Sequence, residues 1–308
     1  MGPLPAPQPV IDMDATLKAI VVASIVIVAV VAGALGFALK GSHASSPTQC
    51  KQVNVPKDCL LHYNQLEKIK ERGVLIVGTS ADWPPYEYVT PDGKYAGIDI
   101  ELAKKIANYL GVKLEIKDMK FAALFEAVQR GDVDIVLADV AMKPGRLAAV
   151  DFSVPYRCES GKVIVVRASD ASSYNGYSWL KGKKIGVQLG TTEQDLAKKY
   201  FGNESQIVTF DRVYPEMVMA LKHGQIDAMI LAPDVAKIIV SHESGLKIVD
   251  KIPFFSCSAV VVPKCAFKLK QEVSQVIWNL KQSGELDQII DKEVAKWLAV
   301  QASQQGSG

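Results

Sequence analysis

The chain has 308 residues, 49% of them apolar, with 35 Lys plus Arg against 33 Asp plus Glu. A formal charge of +2 excludes the basic footprint of a dedicated nucleic-acid binder, and the apolar fraction excludes a disordered chain. The length suits two lobes, and four histidines leave little material for a His-based metal site or catalytic base.

After a short N-terminal segment, 1–18, residues 19–39 read AIVVASIVIVAVVAGALGFAL, without a charge and with Ser24 as the polar residue. A run of about twenty apolar residues spans the hydrocarbon core of a bilayer, and Lys18 and Lys40 close its ends where amines reach headgroups. The expectation is a retained transmembrane anchor rather than a cleaved signal peptide, whose apolar core is shorter, about 7–15 residues. No second run of this length follows. The reading is therefore a cell-membrane protein that crosses once, with its folded part on the extracytoplasmic side. Residues 40–65 are polar and read as a tether. Within it Cys50 and Cys59 form a loop suited to a staple where thiols oxidise. Cys158, Cys257 and Cys265 remain, so five cysteines leave one over and the pairing stays open.

From about residue 65 short β-branched runs alternate with amphipathic helices. GVLIVGT at 73–79 reads as a buried strand, and at 98–110 Ile98, Leu102, Ile106 and Leu110 share one helical face. Strand VKLEIKDM, helix FAALFEAVQR and strand VDIVLADVA follow. The second half repeats the theme with KIGVQLG, TTEQDLAKKYF, IVTFD, PEMVMALKHG, IDAMILA and PDVAKIIVSH. Such alternation argues for α/β layers around mostly parallel strands. Two long strand candidates at 160–168 and 256–264 flank the second unit and read as crossings between lobes. The boundaries expected are 66–160 and 257–300 for the first lobe, 161–256 for the second, and 301–308 for a loose polar tail.

The sequence holds no P-loop, no dinucleotide fingerprint after a strand, no H-E-x-x-H and no G-x-S-x-G. An enzyme that uses nucleotide, metal or nucleophile is disfavoured, no cofactor is called for, and binding is the default. Ligands of open α/β sheets collect beyond the carboxyl ends of strands. After 73–79 comes a proline-stiffened loop with Trp83, Tyr86 and Tyr88, and Trp83 is expected in the cleft, where a rigid aromatic gives contact at low entropy cost. After 133–141 comes Lys143-Pro144-Gly145-Arg146, whose guanidinium beside free helix amides suits a carboxylate. After 184–190 come Gly190, Thr191, Thr192 and Glu193, where a Thr either caps a helix or offers its hydroxyl and amide to an anion.

These runs resemble the extracellular solute-binding proteins of polar amino-acid ABC importers. GVLIVGTSADWPPYEYVTPDGKYAGIDIELAKKIANYLG is similar to the family's opening, KPGRLAAVDFSVPYRCESGKVIVVR to its first crossing, and KIGVQLGTTEQD to its second-lobe ligand loop. The resemblance covers about residues 66–299. It implies an α/β, two-lobed periplasmic-binding-protein type 2 fold with hinge crossings, here preceded by one transmembrane helix. It further implies a monomeric outer domain that closes on a solute and delivers it to a permease driven by an ATPase. By the same resemblance Arg146 takes the ligand carboxylate, Thr192 helps from the opposite lobe, and Trp83, Tyr86 and Phe121 meet the ligand side chain. Two positions depart from the pattern: Ala141 stands where Thr or Ser is usual, and Ala232 where an Asp receives the α-ammonium. Asp234 or Asp139 is then needed as the counter-charge, because a buried unpaired ammonium is costly. A betaine- or ectoine-like solute held by aromatics, or a dehydratase acting on prephenate-like acids through Asp139 or Glu193, are the alternatives.

Overall fold

The computed structural model describes residues 57–305; the expected anchor at 19–39 and most of the tether lie outside them. No helix among the described residues is long and apolar enough to cross a membrane.

The chain runs through β1 (Val74–Thr79), β2 (Asp82–Trp83), β3 (Glu87–Val89), β4 (Tyr95–Ala96), β5 (Lys113–Asp118), β6 (Ile135–Val136), β7 (Val150–Arg167), β8 (Lys184–Gln188), β9 (Gln206–Phe210), β10 (Ala228–Leu231) and β11 (Leu246–Pro263). Eight of these form one sheet in the order β5-β1-β6-β11-β7-β10-β8-β9, and β2, β3 and β4 form a small antiparallel sheet. Counted inward from either edge the connectivity is the same, with the first strand of each unit flanked by its second and third. β1 lies parallel to β5 and β6, and β8 lies parallel to β9 and β10. Each unit is a pair of strand–helix repeats with parallel strands, and its central strand is rich in buried β-branched residues, as a sheet covered on both faces requires.

The 18-residue strands β7 and β11 join the two units. They pair antiparallel from Val261–Phe152 in the first half to Lys247–Val166 in the second. The register slips between Ile252 and Phe255 and again between Ser258 and Ala259; such slips bend a ribbon where it passes from one half to the other. The expected crossings, 160–168 and 256–264, are thus the C-terminal halves of two longer strands. One apolar cluster runs through both halves, from Leu75, Ile98 and Leu102 to Met217, Leu221 and Met229; two smaller ones lie within single halves, around Phe121, Leu124 and Val136 in the first and Ile164, Ile185 and Val187 in the second. The helix Phe267–Gln282 packs on β7 and on the helix Ile98–Leu110, returning the chain's end to the first half.

Four expectations need correction. The end of the tether is not free coil: Lys57–His62 and Gln65–Arg72 are helices, and Cys59 is disulfide-bonded to Cys265. A Cys50–Cys59 staple is thereby excluded, and the second bond links Cys158 to Cys257 between the crossing strands. The strand expected over 133–141 is regular only at Ile135–Val136, because Asp139 takes φ +42° and turns the segment into the cleft. The last helix, Glu285–Gln305, runs into what the sequence suggested was a loose tail.

Candidate ligand-binding site

The carboxyl ends of β1, β6 and β8 converge on one cavity of about 20 Å³ between the halves, roughly the room one ordered water needs. Contacts across it hold the halves together. Gln188 Nε2 donates to Asp82 Oδ2 at 2.9 Å, Arg212 pairs with Asp118 at 2.8 Å, and Lys143 pairs with Asp195 at 2.5 Å.

Arg146 sits in the single turn Pro144–Leu147, started by its proline. Its guanidinium is buried, donating from Nη1 to the Ala141 carbonyl at 2.6 Å and from Nη2 across the cleft to the Gly190 carbonyl at 3.0 Å. The Phe121 and Phe125 rings lie 5.5 and 4.8 Å from it. Burial lowers its pKa to about 10, with Glu193 and Asp195 opposing at longer range. The group stays charged at neutral pH and makes no ion pair among the described residues. A desolvated cation bound only by neutral carbonyls is a receptor for a carboxylate.

Facing it, Thr191 caps the helix Thr192–Phe201, its Oγ1 accepting from the Gln194 amide and donating to the Gln188 carbonyl at 2.7 Å. Thr192 Oγ1 donates to Glu193 Oε2 at 3.0 Å. Burial alone would raise the Glu193 carboxyl, but Lys162, at 2.7 Å, and Thr192 hold it below its ordinary value. Lys162 also pairs with Glu159, so this buried ammonium is shared between two carboxylates.

The remaining wall is acidic. The Asp139 amide donates to Asp99 Oδ2 at 2.7 Å, while its own Oδ2 accepts from Arg157 Nη1 at 2.6 Å and from the Trp83 indole at 3.1 Å. Asp139 Oδ1 is buried and has no partner. Glu87 Oε2 is likewise buried and accepts from no donor, while the protonated Glu87 carboxyl bonds to the Asp99 side chain. Desolvation first, then the Asp99, Asp139 and Asp82 charges, raise the Glu87 carboxyl well above the carboxylate range. Asp99 is pushed up to about 7, chiefly by burial and then by Asp139.

Of the residues expected at the site, Trp83, Phe121, Asp139, Ala141, Arg146, Thr191 and Thr192 line the cavity. Gly190, at φ +83°, contributes its carbonyl to Arg146. Tyr86 and Asp234 stand outside the lining, joined to one another at 2.5 Å. Ala232 is fully buried and precedes the helix Pro233–His242. Sequence reasoning missed Glu87, Lys162, Gln188 and Arg157. The last had a signal: Arg157 and Glu159 are charges two apart on a crossing strand, so they share the face turned to the cleft.

The chain from residue 75 to 296 matches the model of the bacterial extracellular solute-binding proteins, family 3. It is 30% identical to the L-cystine-binding protein TcyJ of Escherichia coli (strain K12), over 74% of this chain and 85% of that protein. It is 32% identical to the arginine-binding extracellular protein ArtP of Bacillus subtilis (strain 168), over 71% and 85%. Among solved structures it resembles the amino acid ABC transporter substrate-binding protein AbpA of Streptococcus pneumoniae bound to L-arginine. There the identity is 34% and the TM-score 0.71, covering 75% of this chain and 98% of that one. These relatives are binding proteins of amino-acid ABC transporters, not enzymes. With a two-unit sheet joined by paired crossing strands and a cleft built around Arg146, the chain belongs to the bacterial extracellular solute-binding proteins, family 3.

Proposed function

We propose that this chain is the substrate-binding subunit of an ABC importer for a basic amino acid. The observation that carries the reading is the charge pattern of the cavity wall. Arg146 offers a cation without a carboxylate partner, and two buried carboxyl oxygens, Asp139 Oδ1 and Glu87 Oε2, lack donors. A solute with one carboxylate and two cationic groups satisfies all three. The carboxylate lies on Arg146 and the α-ammonium on Asp139, which makes good the loss of an acid at Ala232. The distal cation approaches Glu87 beside Trp83, and its charge draws off the proton that burial and the neighbouring acids otherwise keep on this carboxyl. ArtP is named as an arginine-binding protein and AbpA was solved bound to L-arginine, which supports the same class here.

The solute passes from the cleft to a permease driven by its ATPase, as the family's importer role implies. The apolar run 19–39 with its flanking lysines supports a single-pass anchor that holds a monomeric binding domain on the extracytoplasmic side of the cell membrane.

The test is a thermal-shift screen of the full-length chain against arginine, lysine, ornithine, histidine, cystine, glutamine, betaine and ectoine. A solute at 100 times its Kd stabilises by about 2.7 kcal/mol, or roughly 5–11 °C for a domain of this size. The basic amino acids are expected to shift the midpoint. A shift with betaine or ectoine alone, or with neutral amino acids alone, contradicts the reading.

A further inference from the structure

Arg157 is the most heavily engaged cation among the described residues, and the solute scheme above does not use it. It lies on β7, and its guanidinium is 10% exposed. Nη1 donates to Asp139 Oδ2 at 2.6 Å, Nη2 donates to Glu159 Oε2 at 3.0 Å, and Nη2 also pairs with Asp234 at 2.9 Å. The Tyr86 ring lies beneath it, 4.8 Å from the guanidinium carbon. The three carboxylates come from three parts of the molecule. Asp139 follows β6 in the first half, Glu159 is on the crossing strand, and Asp234 opens the helix Pro233–His242 in the second half. An aromatic face with carboxylates on both sides of a cleft is what a bound guanidinium or ammonium seeks. Here the protein supplies that cation itself.

The charges around the cavity give this a consequence. Asp139, Glu159, Asp234 and Glu193 set four carboxylates against the two cations Arg157 and Lys162, with Arg146 left to face the solute carboxylate. Arg157 therefore offsets part of the negative charge that draws a cationic solute. Without it, Asp139 and Asp234 would both be open to a ligand cation.

We propose that Arg157 is a specificity-determining residue: it occupies, from within the chain, the cation position between Asp139, Glu159 and Asp234, and so limits how strongly the cleft prefers a positively charged solute. This rests on the basic-amino-acid reading and sets how selective that reading is. At an effective dielectric near 20, a unit charge about 10 Å from the solute's distal group changes affinity by about tenfold. Arg157 also ties the halves together, so its loss weakens binding of any solute, but that closure term is common to two ligands of the same shape and cancels in their ratio.

The experiment is calorimetric titration of the full-length chain with L-arginine and with L-citrulline, its uncharged counterpart, read as the ratio of the two dissociation constants. Arg157→Gln is expected to raise the preference for arginine about tenfold while weakening both ligands. Arg157→Lys, which keeps the charge, should leave the ratio within about threefold of wild type. Asp234→Asn removes a half-exposed carboxylate that Arg157 does not need for burial, keeps the fold, and should lower the arginine preference by about threefold. Opposite shifts in Arg157→Gln and Asp234→Asn support the assignment, and if Arg157→Gln fails to fold, the fall in Asp234→Asn carries it. A ratio unchanged in Asp234→Asn and in any folded Arg157→Gln overturns it. A wild-type chain that binds neither ligand overturns the basic-amino-acid reading as well.

Discussion

Arg146 and Gly190 meet across the cleft, with the guanidinium Nη2 donating to the glycine carbonyl at 3.0 Å. One residue follows β6 and the other follows β8, so a single hydrogen bond ties Arg146 of one half to the turn before the helix Thr192–Phe201 of the other. Gly190 serves because its carbonyl must turn into the cleft at φ +83°, a conformation costly for other residues.

Arg146 is the residue whose loss should cost most. Arg146→Ala removes a charged, planar donor from a dry site, and the expected loss of affinity for any α-amino acid is about 3 kcal/mol, more than a hundredfold. Arg146→Lys keeps the charge without the fork, and recovery should be partial. Isothermal titration of the two variants checks both statements. Equal affinities for wild type and Arg146→Ala would remove this residue from the site.

Asp139 should carry the α-ammonium. Asp139→Asn keeps the shape and the contacts to Trp83 and Arg157 in part but removes the charge. The expected loss is about tenfold to a hundredfold for free amino acids. Binding of a ligand with a blocked α-amine should change little, which separates this role from a structural one.

Asp99 should make stability fall as pH rises. Its folded pKa, about 7, lies above the ordinary aspartate value of about 3.9, so its contribution is complete below about pH 4 and is lost as pH climbs through 7. Asp82, raised to about 6 mainly by burial, acts in the same direction over a narrower window. Melting temperatures of wild type and Asp99→Asn between pH 4.5 and 8 read the difference, which should amount to a few kcal/mol across that range. Parallel pH profiles for the two proteins would show that Asp99 does not titrate there.

The Cys59–Cys265 bond closes 206 residues of chain and fixes the first helix to the half that holds β1. Replacing both cysteines by serine should destabilise the fold by about 2–4 kcal/mol. Ligand affinity should stay within about twofold, because neither residue is near the cleft. A chemical denaturation curve on the double variant measures the first and a titration the second.

Much of this was legible in the sequence because local signals agreed. Pro144 before Arg146, the glycine–threonine start of the helix Thr192–Phe201, and the β-branched runs of β1 and β8 each specify their own geometry within a few residues. What was not legible depends on pairing at long range. The aromatic loop folds back as β2 and β3 because Asp82 pairs with Tyr88 and Trp83 with Glu87, and that turns Glu87 inward. Cys59 and Cys265 are paired 206 residues apart, a distance no local pattern reads. Arg157, Glu159 and Lys162 are buried as ion pairs only by the crossing of the two halves, a tertiary effect that a strand pattern does not carry.

The most direct test of the central claim is the charge dependence of binding at Glu87. L-arginine and L-citrulline titrated into the wild-type chain should differ by about tenfold or more in favour of arginine. In Glu87→Gln that preference should collapse toward parity while citrulline is bound about as before. Equal binding of the two ligands by the wild type, or an arginine preference that survives intact in Glu87→Gln, would contradict the account.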